Sequence, residues 1–148
     1  MGNRRKAREV SLQLLYETEL AHKSGKEVTD RFWRDPHCLL LEEADLAPTA
    51  LEEVKVFTRQ ITEGVTSNVR EIDQLIEGHS THWKVSRMAS VDRNILRMAV
   101  FELLYCQDIP ASGTINEAIE IAKKYGTEES GAFVNGILDH IAKALKKI

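Results

Sequence analysis

The stretch LEEVKVFTRQITEGVTSNVREIDQLI, residues 51–76, decides the fold class. Its apolar residues Leu51, Val54, Phe57, Ile61, Val65, Val69, Ile72 and Ile76 advance by steps of three and four only, which lines one face of a helix and fits no strand. With Pro48 in front and Gly78 behind, the spacing predicts one helix from Thr49 to Gly78, eased at Gly64.

Working outward, residues 91–106 are apolar almost all round and too long for a buried strand, so they read as a central helix touching several neighbours. Ser90 is its N-cap candidate, and Asp92 in the first turn suits the helix dipole. Asp108, Ile109 and Pro110 end it. Thr114 and Glu117 have capping-box spacing ahead of Ile115, Ala118, Ala122 and Tyr125, and Gly126 stands where a left-handed C-terminal residue is wanted. Thr127 is the cap candidate of a last helix whose buried stripe is Val134, Ile137, Leu138, Ile141 and Leu145. Toward the N-terminus, Ala7, Val10, Leu14 and Leu15 form an apolar stripe, beside a mixed stripe of Arg5, Glu9, Gln13, Tyr16 and Leu20. Residues 23–48, with Gly25, Pro36 and Pro48, read as a connection carrying one short helix around Phe32 or Leu39 to Leu41. The expected architecture is all-α, about six or seven helices in two packed bundles that share the long segments, within a single domain over residues 1–148.

Composition agrees. At 148 residues, 43% hydrophobic and 29% charged, the chain can bury a core without metal or disulfide. Cys38 and Cys106 stand far apart with no partner at metal-ligand spacing, which fits a reducing cytoplasm. The basic start is interrupted by Glu9, Gln13 and Glu17 before an apolar run can accumulate, so it does not read as a signal peptide, and no stretch approaches a membrane span.

The net charge of −3 conceals an asymmetry: residues 1–8 carry four Lys/Arg and no acid, leaving 16 basic against 23 acidic residues in the remainder. Arg4, Arg5, Lys6 and Arg8 can line a phosphodiester chain, with Gln13 as an amide for base edges and Tyr16 as a stacking ring. The same residues also read as a solvated terminus, and Tyr16 as a core aromatic. Phe133 fits the core spacing of Ile137 and Ile141, while its place near a helix start leaves it an exposed role. His79 and His82 lie one helical turn apart but have no third ligand nearby. Adjacent His37 and Cys38 diverge, and Cys106 reads as a buried thiol. Neither phosphate-binding glycine loops nor nucleophile elbows occur, so no cofactor, metal or catalytic residue is expected.

Read together, Arg5-Lys6-Ala7-Arg8-Glu9 with Gln13-Leu14-Leu15-Tyr16 resembles the opening of the NusB family of bacterial transcription antitermination factors. The resemblance continues through Asp92-Arg93-Asn94-Ile95-Leu96-Arg97, Glu102-Leu103-Leu104-Tyr105, Asp108-Ile109-Pro110 and Ile115-Asn116-Glu117-Ala118-Ile119-Glu120. It ends with Ala122-Lys123-Lys124-Tyr125-Gly126 and Phe133-Val134-Asn135-Gly136-Ile137-Leu138, in the same order, and skips residues 23–48. It implies two helical subdomains and a non-enzymatic role: binding boxA-type single-stranded RNA together with the ribosomal protein NusE, and loading an antitermination complex on RNA polymerase during ribosomal RNA transcription. It implies RNA contact by Arg4, Arg5, Lys6, Arg8, Gln13, Tyr16, Glu129 and Phe133, and NusE contact by Asp92. Lys6 departs from the family's frequent arginine, keeping the charge and losing the planar fork. Gly131 and Gly136 cost about 1 kcal/mol each relative to alanine in a helix, which asks for the close approach of another helix or of RNA backbone beside Phe133. Two other readings stand beside this one: a NusB-like accessory chain acting in trans with an RNA cytosine methyltransferase, and a protein-only scaffold. A homodimer is compatible with any of them.

Overall fold

The computed structural model describes residues 2–34, 39–81 and 84–148. Among the described residues the chain is all-helical: α1 (Gly2–Ala21), α2 (Gly25–Arg34), α3 (Leu39–Ala44), α4 (Pro48–Ser67), α5 (Val69–Gly78), a 3-10 turn (Val85–Arg87), α6 (Ser90–Tyr105), α7 (Ala111–Tyr125) and α8 (Ser130–Ala144). These eight α-helices exceed the expected six or seven for two reasons. The connection of residues 23–48 holds two helices rather than one, and the long helix expected over 49–78 is two. It divides not at Gly64 but at Asn68, whose φ of −120° and ψ of 21° leave the helical range. The chain separates at the same point into two compact units, residues 1–67 and 68–148.

The first unit packs α1 on α4, with α2 against both and α3 against α1. Ala7, Val10, Leu14 and Leu15 of α1 are buried, as are Val54, Phe57, Ile61 and Val65 of α4. Each large aliphatic side chain so covered contributes roughly 1.5–3 kcal/mol. Val10, Leu14 and Val28 form a cluster against which Phe32, Leu40 and Leu41 pack, which is why the segment after residue 23 is helical at all. The start of α2 is written locally: Ser24 Oγ accepts from the Glu27 amide at 3.1 Å and donates to the Glu27 carboxylate at 3.3 Å, a capping pair. Gly25 lets this end approach α4 closely, since a Cβ there would collide with the Thr66 hydroxyl and lie 2.7 Å from the Thr62 carbonyl oxygen. On the rim, Asp30 accepts from Lys26 at 2.8 Å and from Arg59 at 2.6 Å. These bonds, Lys26 first, hold its carboxyl down to about 2.

In the second unit α6 packs on α5, α7 and α8, as a helix apolar on most sides requires. The Arg97 guanidinium grips Asp73 of α5 with two hydrogen bonds, Nε to Oδ1 at 2.8 Å and Nη2 to Oδ2 at 2.9 Å. Arg93 donates to the carbonyls of Val85 and Met88, fastening the 3-10 turn to α6. Several expected helix ends differ. The cap of α6 is Ala89, one residue before Ser90. Pro110, with φ −60° and ψ 141°, starts α7 ahead of the expected Thr114–Glu117 box. The Thr114 hydroxyl is instead buried and donates to the Glu102 carboxylate at 3.0 Å, satisfying an acid in the core. Gly126 is extended at φ −96° rather than left-handed, and it is needed for space: a Cβ would strike the Ser130 hydroxyl and lie 2.8 Å from the Ala122 carbonyl oxygen. Thr127 precedes α8 without capping it; its amide donates to Ser130 Oγ at 2.9 Å.

Candidate nucleic-acid interface

The first unit sorts the four cations of α1 by their neighbours. Phe57, brought under the first turns by the α1–α4 packing, receives two of them: the Arg4 guanidinium lies 5.0 Å and that of Arg8 5.4 Å from its ring centroid. Arg8 is only 5% exposed, whereas Arg4 and Arg5 are exposed. Lys6 is half-buried, its ammonium 3.3 Å from the Glu9 carboxylate. Arg4 and Arg5 therefore present the most accessible positive charge, and Arg8 acts as a packed cation over an aromatic face.

Further along α1, Gln13, Tyr16 and Leu20 are exposed at spacings of three and four, on the face that also carries Arg5. Tyr16 is 49% and Leu20 65% exposed, so Tyr16 is not a core aromatic. Phe57 is the residue that sequence reading missed as a neighbour of the basic turn. Its place in the α4 stripe marked it as buried, but nothing local shows which helix covers it.

In the second unit the starts of α6 and α8 enclose a cleft of about 210 Å³ lined by Arg87, Met88, Asp92, Thr127, Glu129 and Phe133, among others. Asp92, assigned to the protein partner, thus shares a cleft with Glu129 and Phe133, assigned to RNA. One carboxylate oxygen of Asp92 is buried without a hydrogen-bond partner. The Glu129 carboxylate accepts from Thr127 Oγ1 at 3.2 Å. Two acids beside one arginine make this a receptor for donors, either base amino groups or a cationic side chain, more than for phosphate. Phe133 is half-buried, its ring available at the cleft wall.

The glycines of α8 differ in kind. Gly131 is buried over α7, where a Cβ would meet Lys123 Cγ at 3.5 Å and Ile119 Cγ2 at 3.8 Å. Gly136 is exposed, with nothing within 4 Å of such a Cβ, so no neighbouring helix accounts for it. Cys106 is a buried free thiol, and no group of three or more His, Cys, Asp or Glu among the described residues is arranged to hold a metal. His37, Cys38 and His82, weighed above as ligands, lie outside the described residues. Among the described residues no helix is long and apolar enough to cross a membrane.

Residues 5–143 match the model of the NusB family. The chain is 46% identical over 147 residues to the transcription antitermination protein NusB of Myxococcus xanthus, covering 99% of each sequence. Among solved structures it is similar to T. maritima NusB, with a TM-score of 0.75 and 41% identity over 95% of this chain and 90% of that one. It is also similar to a chain in a crystal structure of antitermination factors NusB and NusE in complex with dsRNA. That likeness has a TM-score of 0.78 and 26% identity over 97% of this chain and 98% of the other.

Proposed function

The chain belongs to the NusB family, and on that premise we propose that it is a bacterial transcription antitermination factor that binds boxA-type RNA together with NusE. In that role it supports ribosomal RNA transcription as part of the antitermination complex on RNA polymerase, in the cytoplasm and without catalysis of its own. The observation that carries the reading is the fold likeness to a NusB held with NusE and RNA, over 97% of this chain.

Both units supply contacts. The outer face of α1 offers Arg4 and Arg5 for phosphates, Gln13 for a base edge and the Tyr16 ring for stacking. The cleft at the start of α8 offers the Phe133 face with the Glu129 carboxylate beside it, and Asp92 gives NusE a negative group for a basic side chain. Arg8 supports this surface by holding Phe57 under Arg4, and Lys6 contributes charge where the family often has arginine.

Titration of boxA-type RNA, a scrambled RNA and an RNA duplex into the protein with and without NusE tests the reading. Binding of the single-stranded boxA RNA should be tightest, should strengthen with NusE and should weaken with salt. NusE binding with no salt-dependent RNA affinity would leave a protein-only scaffold and refute the proposal. Preference for the duplex would refute the single-stranded assignment.

A further inference from the structure

The second unit holds another cleft, about 320 Å³, which shares Phe133 with the cleft of Asp92 and Glu129. Its walls are His79, Ser80 and Thr81, which follow α5, and Phe133, Gly136 and His140 of α8. The two imidazole centroids stand 6.3 Å apart with their planes at 77°. That spacing is close enough for one tetrahedral anion to receive an N–H from each ring. No carboxylate lines the cleft, in contrast to the neighbouring one with Asp92 and Glu129. Gly136 adds an independent observation: a glycine weakens a helix interior, and no protein atom lies within 4 Å of the missing Cβ, so bare backbone faces the open cleft where a ligand chain can come close.

We propose that this cleft is a phosphate-binding subsite for the RNA strand that stacks on Phe133, with His79, His140, Ser80 and Thr81 as the donors. The inference rests on the RNA-binding reading and adds a residue set to it. Phe133 lines both clefts, so a base on its ring puts the next backbone phosphate within reach of the histidines. A neutral imidazole donates one N–H and the protonated ring two, and the charge is then balanced by the phosphate. Binding therefore raises the histidines' affinity for protons. RNA should therefore bind more tightly under acidic than under alkaline conditions. The charged groups of the surrounding elements do not line the cleft. Glu77 of α5 is exposed, Asp73 is engaged by Arg97 of α6, and Asp139 of α8 pairs with Lys143 at 2.9 Å. Arg87 and Asp92 line the other cleft, and Lys123 of α7 pairs with Glu120.

The test is RNA affinity by fluorescence anisotropy, with boxA-type RNA and saturating NusE at constant ionic strength, from pH 8 to pH 5.5. The parent should bind roughly tenfold more tightly at pH 5.5 than at pH 8. The double variant His79→Gln/His140→Gln should lose most of that gain, and His140→Lys should keep much of the low-pH affinity at pH 8. His22→Gln, at the end of α1, should follow the parent, and circular dichroism melts should show all variants folded. A double variant with the parent's pH dependence, or a lysine variant no tighter at pH 8, overturns the subsite while leaving the RNA-binding reading intact. A parent that binds no RNA at any pH overturns both.

Discussion

The unequal burial of the basic turn makes a quantitative prediction about salt. Binding single-stranded RNA releases about 0.7 counterion per phosphate neutralised, so each cation in contact adds about −0.7 to the slope of log affinity against log salt. Arg4 and Arg5 are exposed, Lys6 is engaged by Glu9, and Arg8 is packed over Phe57. Replacing Arg4 and Arg5 together by alanine should therefore flatten the slope by about 1.4. Between 50 and 200 mM salt the parent should lose about sevenfold more affinity than the double variant. Arg8→Ala should behave differently. It removes a cation–π contact worth about 0.5–2 kcal/mol and a buried side-chain stem. We expect a fall in unfolding free energy of roughly 1–3 kcal/mol with little change in slope. The assay is a salt series by anisotropy with NusE present, paired with urea unfolding of each variant. If Arg8→Ala flattens the slope as much as Arg4→Ala does while stability is unchanged, the argument from burial is wrong.

Phe133→Ala should weaken RNA binding by roughly 1–3 kcal/mol if the ring stacks on a base, and a drop of stability by roughly 3 kcal/mol or more in thermal melts would instead mark the ring as core. Asp92→Lys should weaken NusE binding in calorimetry while Arg5→Ala leaves it unchanged; equal binding by Asp92→Lys and the parent removes Asp92 from that contact. Asp30, held down to about 2 by Lys26 and Arg59 against an ordinary 3.8, contributes stability that is present above pH 3.8 and is lost as pH falls toward 2. The melting temperatures of the parent and Asp30→Asn should accordingly converge over that range, and a constant gap down to pH 2 would show that the pair does not act on folding.

What was legible in the sequence is what a single helix shows of itself. The stripes Ala7–Val10–Leu14, Val54–Phe57–Ile61 and Val134–Leu138–Ile141 are buried as their spacing requires, because a residue's angular place on its own helix is a local property. The capping pair of Ser24 and Glu27 was equally local and would have announced α2, had the glycine after it not suggested a connection. The family signature likewise lives in ordered short motifs, and it implied the RNA- and NusE-contact residues as a set.

Tertiary structure decided the cases in which a side chain had two partners to choose from. Thr114 has the spacing of a cap, but a buried Glu102 on another helix needs its hydroxyl more than a solvated helix end does. Gly126 was expected to serve a left-handed turn, but it is extended, and what requires a glycine there is the room that Ser130 and the Ala122 carbonyl deny a Cβ. Arg4, Arg5, Lys6 and Arg8 are four similar charges in the sequence and three different environments in the fold, sorted by Phe57 arriving from α4 and by Glu9. Asp92, Glu129 and Phe133 come from two helices far apart in the chain and meet in one cleft, as His79 and His140 do in the next. Local spacing determines which face of a helix is covered; which residue covers it depends on packing between segments distant in sequence, and that packing set both the accessible charge and the shape of the clefts.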